Sequence, residues 1–468
     1  MKHHLIKAII MTLSFVPITS HAYDFSAVND DGVIIYYDIL SEEEKTCEVT
    51  YGIEGYTGDI VIPSYANGYK VTGIGEGAFE KCSSLTTINI PSSVTIIGNK
   101  AFQECSSLSS IDIPNSVIII GELSFCGCSS LDHMSIPNSV IDIGYGVFMN
   151  CSSLAFVSLP NTILSIKDGM FQNCTSLAEI EIPNTIESIG YGAFHNCKAL
   201  VAVEIPKSVT IISDNPFEDC SSLGSIIVEE GNEKYNSADE CNAIIETSSG
   251  TLIASCANTV IPKNIKAIGF AAFSGCIGLN SVTIPSTVTS IGKAAFYNCK
   301  NLSTVYSEIT DFFDIDKSVF YGSENTTLYV PKGMATTYRS STGWSVIKFI
   351  EEMPGDTSEA SFLLSCSGKG SVSVNSSPSI TNKISAASIN EGTDNTFTFA
   401  PKSGCKLDQV ILNGLDITAN VEGNTLTCTI PANSQMIVTF TTEQGDMNND
   451  SNIDISDVVA LVNMILGQ

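Results

Sequence analysis

Histidine is scarce in this chain: there are five in 468 residues, and His3, His4 and His21 all fall within the first 22 positions. The remaining two, His133 and His195, lie eight and one residues after their nearest preceding phenylalanines, so they occupy unrelated places in the pattern described below. No zinc cluster can be assembled from them. Basic residues are also few, with 22 Lys+Arg against 50 Asp+Glu and a net charge of −28. Such a chain repels phosphate backbones and anionic lipid, which excludes nucleic acid as a partner and favours cations and basic surfaces. Tryptophan occurs once, as Trp344. Beyond the first 22 residues, no apolar run reaches the ~20 residues that a membrane-spanning helix needs.

The opening stretch, MKHHLIKAIIMTLSFVPITSHA, sets Lys2 and Lys7 before an apolar run from Ala8 to Ile18 and ends with Ser20 and Ala22. This is the pattern of a secretory signal peptide, residues 1–22, with cleavage before Tyr23. The alternative, a membrane anchor, would have to span with too short a run.

What is abundant is repetition. Phenylalanine returns every 23 residues from Phe79 to Phe217 and again from Phe273 to Phe296; cysteine follows three residues later and proline, in most copies, twelve later. The unit reads A-F-x-x-C-S-S-L-x-x-I-x-I-P-x-S-V-x-x-I-G. A strict period of this length specifies a mainly β solenoid, because one coil cannot bury its own apolar edge and neighbours must stack. In each coil L-x-x-I-x-I-P reads as a short strand, inward at Leu85, Ile88 and Ile90 in the first regular copy, and S-V-x-x-I-G as the return path. The glycines of Ile97-Gly98 and Ile143-Gly144 suit a turn requiring positive φ. Truncating a phenylalanine in mid-stack, such as Phe148, is expected to cost more than truncating Phe79 at the end.

Sixteen cysteines in an exported protein would ordinarily mean a disulfide framework. Nine of them, however, form one inward column at about a strand spacing of ~4.8 Å, and an odd column cannot pair completely. Free buried thiols are the expectation, with a Cys405–Cys428 bridge as an alternative outside the repeats.

Residues 23–71 alternate apolar and polar side chains without the period and read as an N-terminal cap with a hairpin, followed by a first imperfect strand at Tyr56–Pro63. The solenoid with its C-terminal cap occupies 72–353; between Phe217 and Phe273 it carries a widened coil with a hairpin around Ala243–Ile245 and Thr251–Ile253. After Leu302 the pattern decays, and Trp344 is expected to cover the last coil. After a linker at Pro354–Ser358, residues 360–442 read as a small sandwich-like all-β domain.

The tail, 445–468, places Asp446, Asn448, Asp450, Asn452, Asp454 and Asp457 at positions 1, 3, 5, 7, 9 and 12 of a loop. Ca²⁺ takes six to eight oxygen ligands, and this alternation folds short carboxylates and amides around one ion. Ser451 replaces the usual glycine and Asp457 the usual glutamate of an EF-hand. The helix expected to follow has Val458, Leu461, Val462, Ile465 and Leu466 on one face. The competing reading is an acidic solvated tail.

No catalytic constellation is legible. The outward strand positions, Ser110 and Asp112, His133 and Ser135, Phe156 and Ser158, Glu179 and Glu181, Ala202 and Glu204, form the candidate binding face, where an exposed aromatic beside an acidic stripe suits a basic protein or a sugar ring. A solvated sheet with one stray aromatic is the alternative.

The repeat unit, together with the cap Y-T-G-D-I-V-I-P and the closing L-Y-V-P-K-G, closely resembles the BspA-like leucine-rich repeat proteins of bacterial cell surfaces, over roughly residues 30 to 350. That resemblance implies an exported, non-catalytic, curved recognition module linked with adhesion to host or bacterial surface partners. The tail is similar to one half of a type I dockerin, which implies a calcium loop with the six ligands above and a cohesin-like partner. It also implies an alternative role, as a non-catalytic subunit of an extracellular polysaccharide-degrading assembly. Residues 360–442 are similar to the divergent β-repeat domains found beside such solenoids.

Overall fold

The computed structural model describes residues 23–442 apart from 53–54, 239–240, 354–361, 368–369, 375–382, 388–393, 403–404, 413–414 and 430–434. The signal-peptide pattern of residues 1–22, the Pro354–Ser358 linker and the expected calcium loop and helix of 445–468 fall outside the described residues. The chain divides into two compact units, one running to Thr327 and including Ser340–Phe349, the other comprising Leu328–Arg339 and the chain from Ile350 on.

The repeats wind into a β-solenoid of about 13 turns with 23-residue spacing. Its interior carries two runs of stacked rings, Phe79 to Phe217 and Phe273 to Phe320; in the first, successive centroids lie 5.1, 5.3, 5.8, 5.7, 5.4 and 5.3 Å apart, with planes within 14° of parallel. Burying each ring contributes roughly 1.5–3 kcal/mol, and each ring is covered by its neighbours in the stack.

The cysteines are free and do more than fill space. In seven of the nine column cysteines, all but Cys82 and Cys276, the S–H donates to the carbonyl of the phenylalanine one coil back, as from Cys105 to Phe79 at 3.0 Å, then Cys128 to Phe102, Cys151 to Phe125 and Cys174 to Phe148 at 3.1 Å. Burial pushes the Cys105 thiol up to about 12 and those of Cys128, Cys151 and Cys174 well above their ordinary value, so all stay protonated and able to donate.

The stack extends further than the sequence pattern does. Phe320 lies 5.1 Å from Phe296 and within 3° of parallel to it, displaced from the period by a single residue. Ser323 stands where the cysteine would be, and its hydroxyl donates to the Phe296 carbonyl at 2.9 Å. The fully buried Trp344 packs on Phe320 at 5.8 Å and donates its indole N–H to the Phe313 carbonyl at 2.9 Å. At the other end Tyr56 sits 4.6 Å from Phe79, and its backbone N–H donates to Cys82 Sγ at 3.2 Å. Phe79 is therefore an inner member of the stack, which corrects the expectation that its loss would cost less.

The return-path glycines also need correction. Gly98 and Gly144 are absent from the positive-φ positions, which recur instead at Asn150, Asn173 and Asn196 with φ of 64°, 63° and 61°. Gly98 is required by close approach: a Cβ there would lie 2.8 Å from the Glu76 nitrogen of the preceding coil, and one at Gly144 would strike the Glu122 backbone. The left-handed asparagines bond to one another, Asn196 to Asn173 and Asn173 to Asn150 at 2.7 Å each, adding an amide ladder that the sequence reading missed although it keeps the same period.

The N-terminal cap pairs Ile34–Ser41 antiparallel with Thr46–Thr50, and an additional strand, Phe25–Val28, pairs with the first of these. Thr46–Thr50 then runs parallel to Tyr69–Ile74, which continues into the return-path ladder of the first coils. The sheet's hydrogen bonds thus pass from cap to stack without an open edge.

Between Phe217 and Phe273 the hairpin Ala243–Glu246 with Thr251–Ser255 widens a coil. On the phenylalanine side the coils meet directly: Asn215 donates from Nδ2 to the Ala271 carbonyl at 2.8 Å, and Ser274 Oγ donates to Glu218 Oε1 at 2.7 Å. In the second unit, a five-stranded sheet and a three-stranded sheet of residues 362–442 share a core of Leu364, Val372, Phe397, Phe399, Val410 and Val438. Cys405 is a free thiol on the larger sheet, so the alternative Cys405–Cys428 bridge is not formed.

Candidate functional site

The parallel ladder positions the outward side chains of the strand face. With Leu85 and Ile88 turned inward, Thr87 and Asn89 face out, and the register carries this from coil to coil: Asp59 against Thr87, Thr87 against Ser110, His133 against Phe156, Ser135 against Ser158, Ala202 against Ser225 and Glu204 against Ile227. All six residues singled out in the sequence, Asp112, His133, Phe156, Glu179, Glu181 and Glu204, are exposed on this face. One detail departs from expectation: Glu179 and Glu181 belong to an extended segment with no strand hydrogen bonding, so the ladder is interrupted between Phe156–Ser158 and Ala202–Ile205.

The face is uneven in chemistry. At its N-terminal end an open groove of about 230 Å³ is lined by Asp59, Thr87, Asn89, Ser110 and Asp112 over the Ile60, Ile88 and Ile111 backbone. Hydroxyls of Thr87 and Thr86 donate to Asp59 Oδ1 at 2.7 and 2.8 Å and hold its carboxyl below the usual carboxylate range. His133 pairs through Nδ1 with Asp132. Phe156 follows at 50% exposure, then Glu179, Glu181 and Glu204, with Val201 and Ile227 more than half exposed beside them. Sequence reasoning missed Asp59, Val201 and Ile227. Ile227 follows from the strand register, Val201 immediately precedes the strand Ala202–Ile205, and Asp59 sits in the imperfect first strand, where the period does not reach.

His195, set aside in the sequence, lies with Nδ1 3.8 Å from Glu218 Oε2, on the coil that meets the Phe217–Phe273 joint. Ser274 donates its proton to that carboxylate and not to the imidazole, so the group ties coils together and does not activate a nucleophile. Among the described residues, no three His, Cys, Asp or Glu side chains are placed to hold a metal ion. The sequence-derived calcium ligands Asp446, Asn448, Asp450, Asn452, Asp454 and Asp457 lie outside the described residues.

Coils of this length, with a stacked interior and a bare outward ladder, define a leucine-rich repeat solenoid. The model of the BspA type leucine rich repeat region matches in six copies over residues 59–177, 141–244 and 251–350, and the chain belongs to that family. Among solved structures it is similar to a leucine rich cell surface protein from Faecalibacterium prausnitzii, at 28% identity and a TM-score of 0.55, over 71% of this chain and 95% of that one. It is also similar to the pneumococcal vaccine antigen PcpA, at 19% identity and a TM-score of 0.43, over 72% of this chain and 100% of that one. No curated protein matches the chain. No helix among the described residues is long and apolar enough to cross a membrane.

Proposed function

We propose that the chain is an exported, non-catalytic binding or adhesion protein at a bacterial surface, whose strand face meets an extracellular protein or glycan on a host or bacterial surface. The observation that carries this reading is the contrast between an interior that repeats and an outward face that does not, with Phe156 half exposed amid carboxylates. Membership of a repeat family without a catalytic constellation supports the non-catalytic part, and the signal-peptide pattern supports export. The test is capture of the full chain on an array of extracellular matrix proteins and glycans, compared with Phe156→Ser. The reading requires a captured partner that the variant loses, and a hydrolytic activity without capture would replace it.

The tail motif supports a second element. Asp446, Asn448, Asp450, Asn452, Asp454 and Asp457 hold one Ca²⁺ in a docking segment, which leaves a subunit role in a cohesin-type polysaccharide-degrading assembly as the alternative function. Calorimetric titration of the full chain should show one calcium site that is lost in the Asp446→Ala, Asp450→Ala variant. Recovery of carbohydrate-active enzymes with the protein in calcium, but not in chelator, would favour the assembly.

A further inference from the structure

We propose that the occupant of the strand face is an extended, lysine- or arginine-bearing protein segment with an apolar side chain seated beside Phe156, an inference that rests on reading this face as the receptor surface.

Between Asp59 and Ile227 the outward face carries the carboxylates of Asp59, Asp112, Asp132, Glu179, Glu181 and Glu204, and no Lys or Arg. Elsewhere on the same unit three acids are paired with a lysine, Glu42 with Lys45 at 2.9 Å, Glu80 with Lys81 at 3.1 Å and Glu229 with Lys207 at 2.9 Å, while Asp30, Glu43 and Glu44 of the cap, like the strand-face glutamates, are not. Among the described residues Glu179, Glu181 and Glu204 have no ion-pair partner. Their charge is left for something outside the chain. A neutral glycan brings nothing to complement it, and a sulfated or phosphorylated one is repelled. A divalent cation is a poor fit, because carboxylates on successive coils are not gathered into a metal-holding group.

Apolar anchors are interleaved with these charges. Phe156 is 50%, Val201 55% and Ile227 52% exposed, Val201 on the coil of Glu204 and the other two on the coils to either side of the glutamates. Aromatic anchors between charged groups are the arrangement that protein interfaces use for affinity and register. The acidic stretch runs across about seven coils at ~4.8 Å each, roughly 30 Å, which an extended segment of about nine residues covers at ~3.4 Å per residue.

The test uses the full chain and a labelled nonapeptide of alternating lysine and leucine as the probe, with affinity read by fluorescence anisotropy at about 50 and about 300 mM salt. Because the net charge of −28 attracts any polycation, a matched control is built in. One variant is Glu179→Gln, Glu181→Gln, Glu204→Gln; the other removes the same charge from the exposed cap, Asp30→Asn, Glu43→Gln, Glu44→Gln. The strand-face variant should weaken binding about tenfold and the cap variant less than about twofold, with a further loss in Phe156→Ser. Equal losses in the two charge variants would overturn the proposal, as bulk attraction alone gives that result. Equal losses together with capture of a neutral glycan that Phe156→Ser abolishes would overturn only the partner chemistry and leave the receptor surface standing. Indifference of every probe to every strand-face change would remove both.

Discussion

Two sets of columns run side by side through the same coils. Phe79, Phe102, Phe125 and Phe148 repeat one residue facing inward, and the thiols beside them repeat one hydrogen bond. Ser110, His133, Phe156, Glu179 and Ala202, one outward column of the same stack, repeat nothing. The inward column must satisfy its neighbour above and below, so each coil restricts the next. The outward column is positioned by the same hydrogen bonds but meets only solvent, and its side chains are released to serve a partner. Periodicity thus records what the fold needs, and departures from it on an exposed face record what the fold does not need.

The largest break in this comparison comes from truncating one ring on each side. Phe148→Ala should cost about 3–5 kcal/mol in chemical denaturation, whereas Phe156→Ala should stay within about 0.5 kcal/mol. Because Tyr56 covers Phe79 at 4.6 Å, Phe79→Ala should resemble Phe148→Ala and not the exposed variant.

The next effect concerns charge. Strand-face carboxylates are solvated, but Glu48 of the cap strand lies against Gly73 and Gly75, where a Cβ at Gly75 would be 2.9 Å from Glu48 Oε1. Burial, then Asp38 and Glu76, push its pKa up to about 7. A carboxyl with a raised folded pKa binds its proton more tightly in the fold, so its contribution is intact below the unfolded value of about 4.3 and is lost as pH rises to about 7. Glu48→Gln should remove a fall in stability on the order of 3 kcal/mol across that window, seen as the difference between the two pH profiles. Parallel profiles for the two proteins would contradict a buried Glu48.

A smaller effect distinguishes packing from hydrogen bonding in the cysteine column. Cys151→Ala removes the S–H donated to Phe125 at 3.1 Å and should cost about 1–2 kcal/mol, with Cys151→Ser nearer wild type because Ser323 already makes that bond at 2.9 Å. Equal midpoints for the two variants would mean that the thiol only fills space.

Much of this was legible in advance. The 23-residue period required the stack, and an odd column of cysteines argued for free thiols. What escaped was whatever the period does not encode. Phe320 is displaced by one residue, Phe25–Val28 lies in the aperiodic cap, and the role of Gly98 depends on how near the Glu76 nitrogen passes, a distance set by two coils together. Of the site, all six face residues emerged from the alternation of inward and outward positions, because a ladder fixes orientation. Asp59 did not, because its strand is imperfect, and Val201 went unnoticed because it lies next to the two rows that were followed.

The division between a structural interior and a recognising exterior is tested most directly by replacing Phe156, Glu179, Glu181 and Glu204 together with serine in the full chain, then measuring partner capture and denaturation midpoint on the same sample. The account predicts lost capture at an unchanged midpoint. Undiminished capture from a protein of normal stability would contradict it.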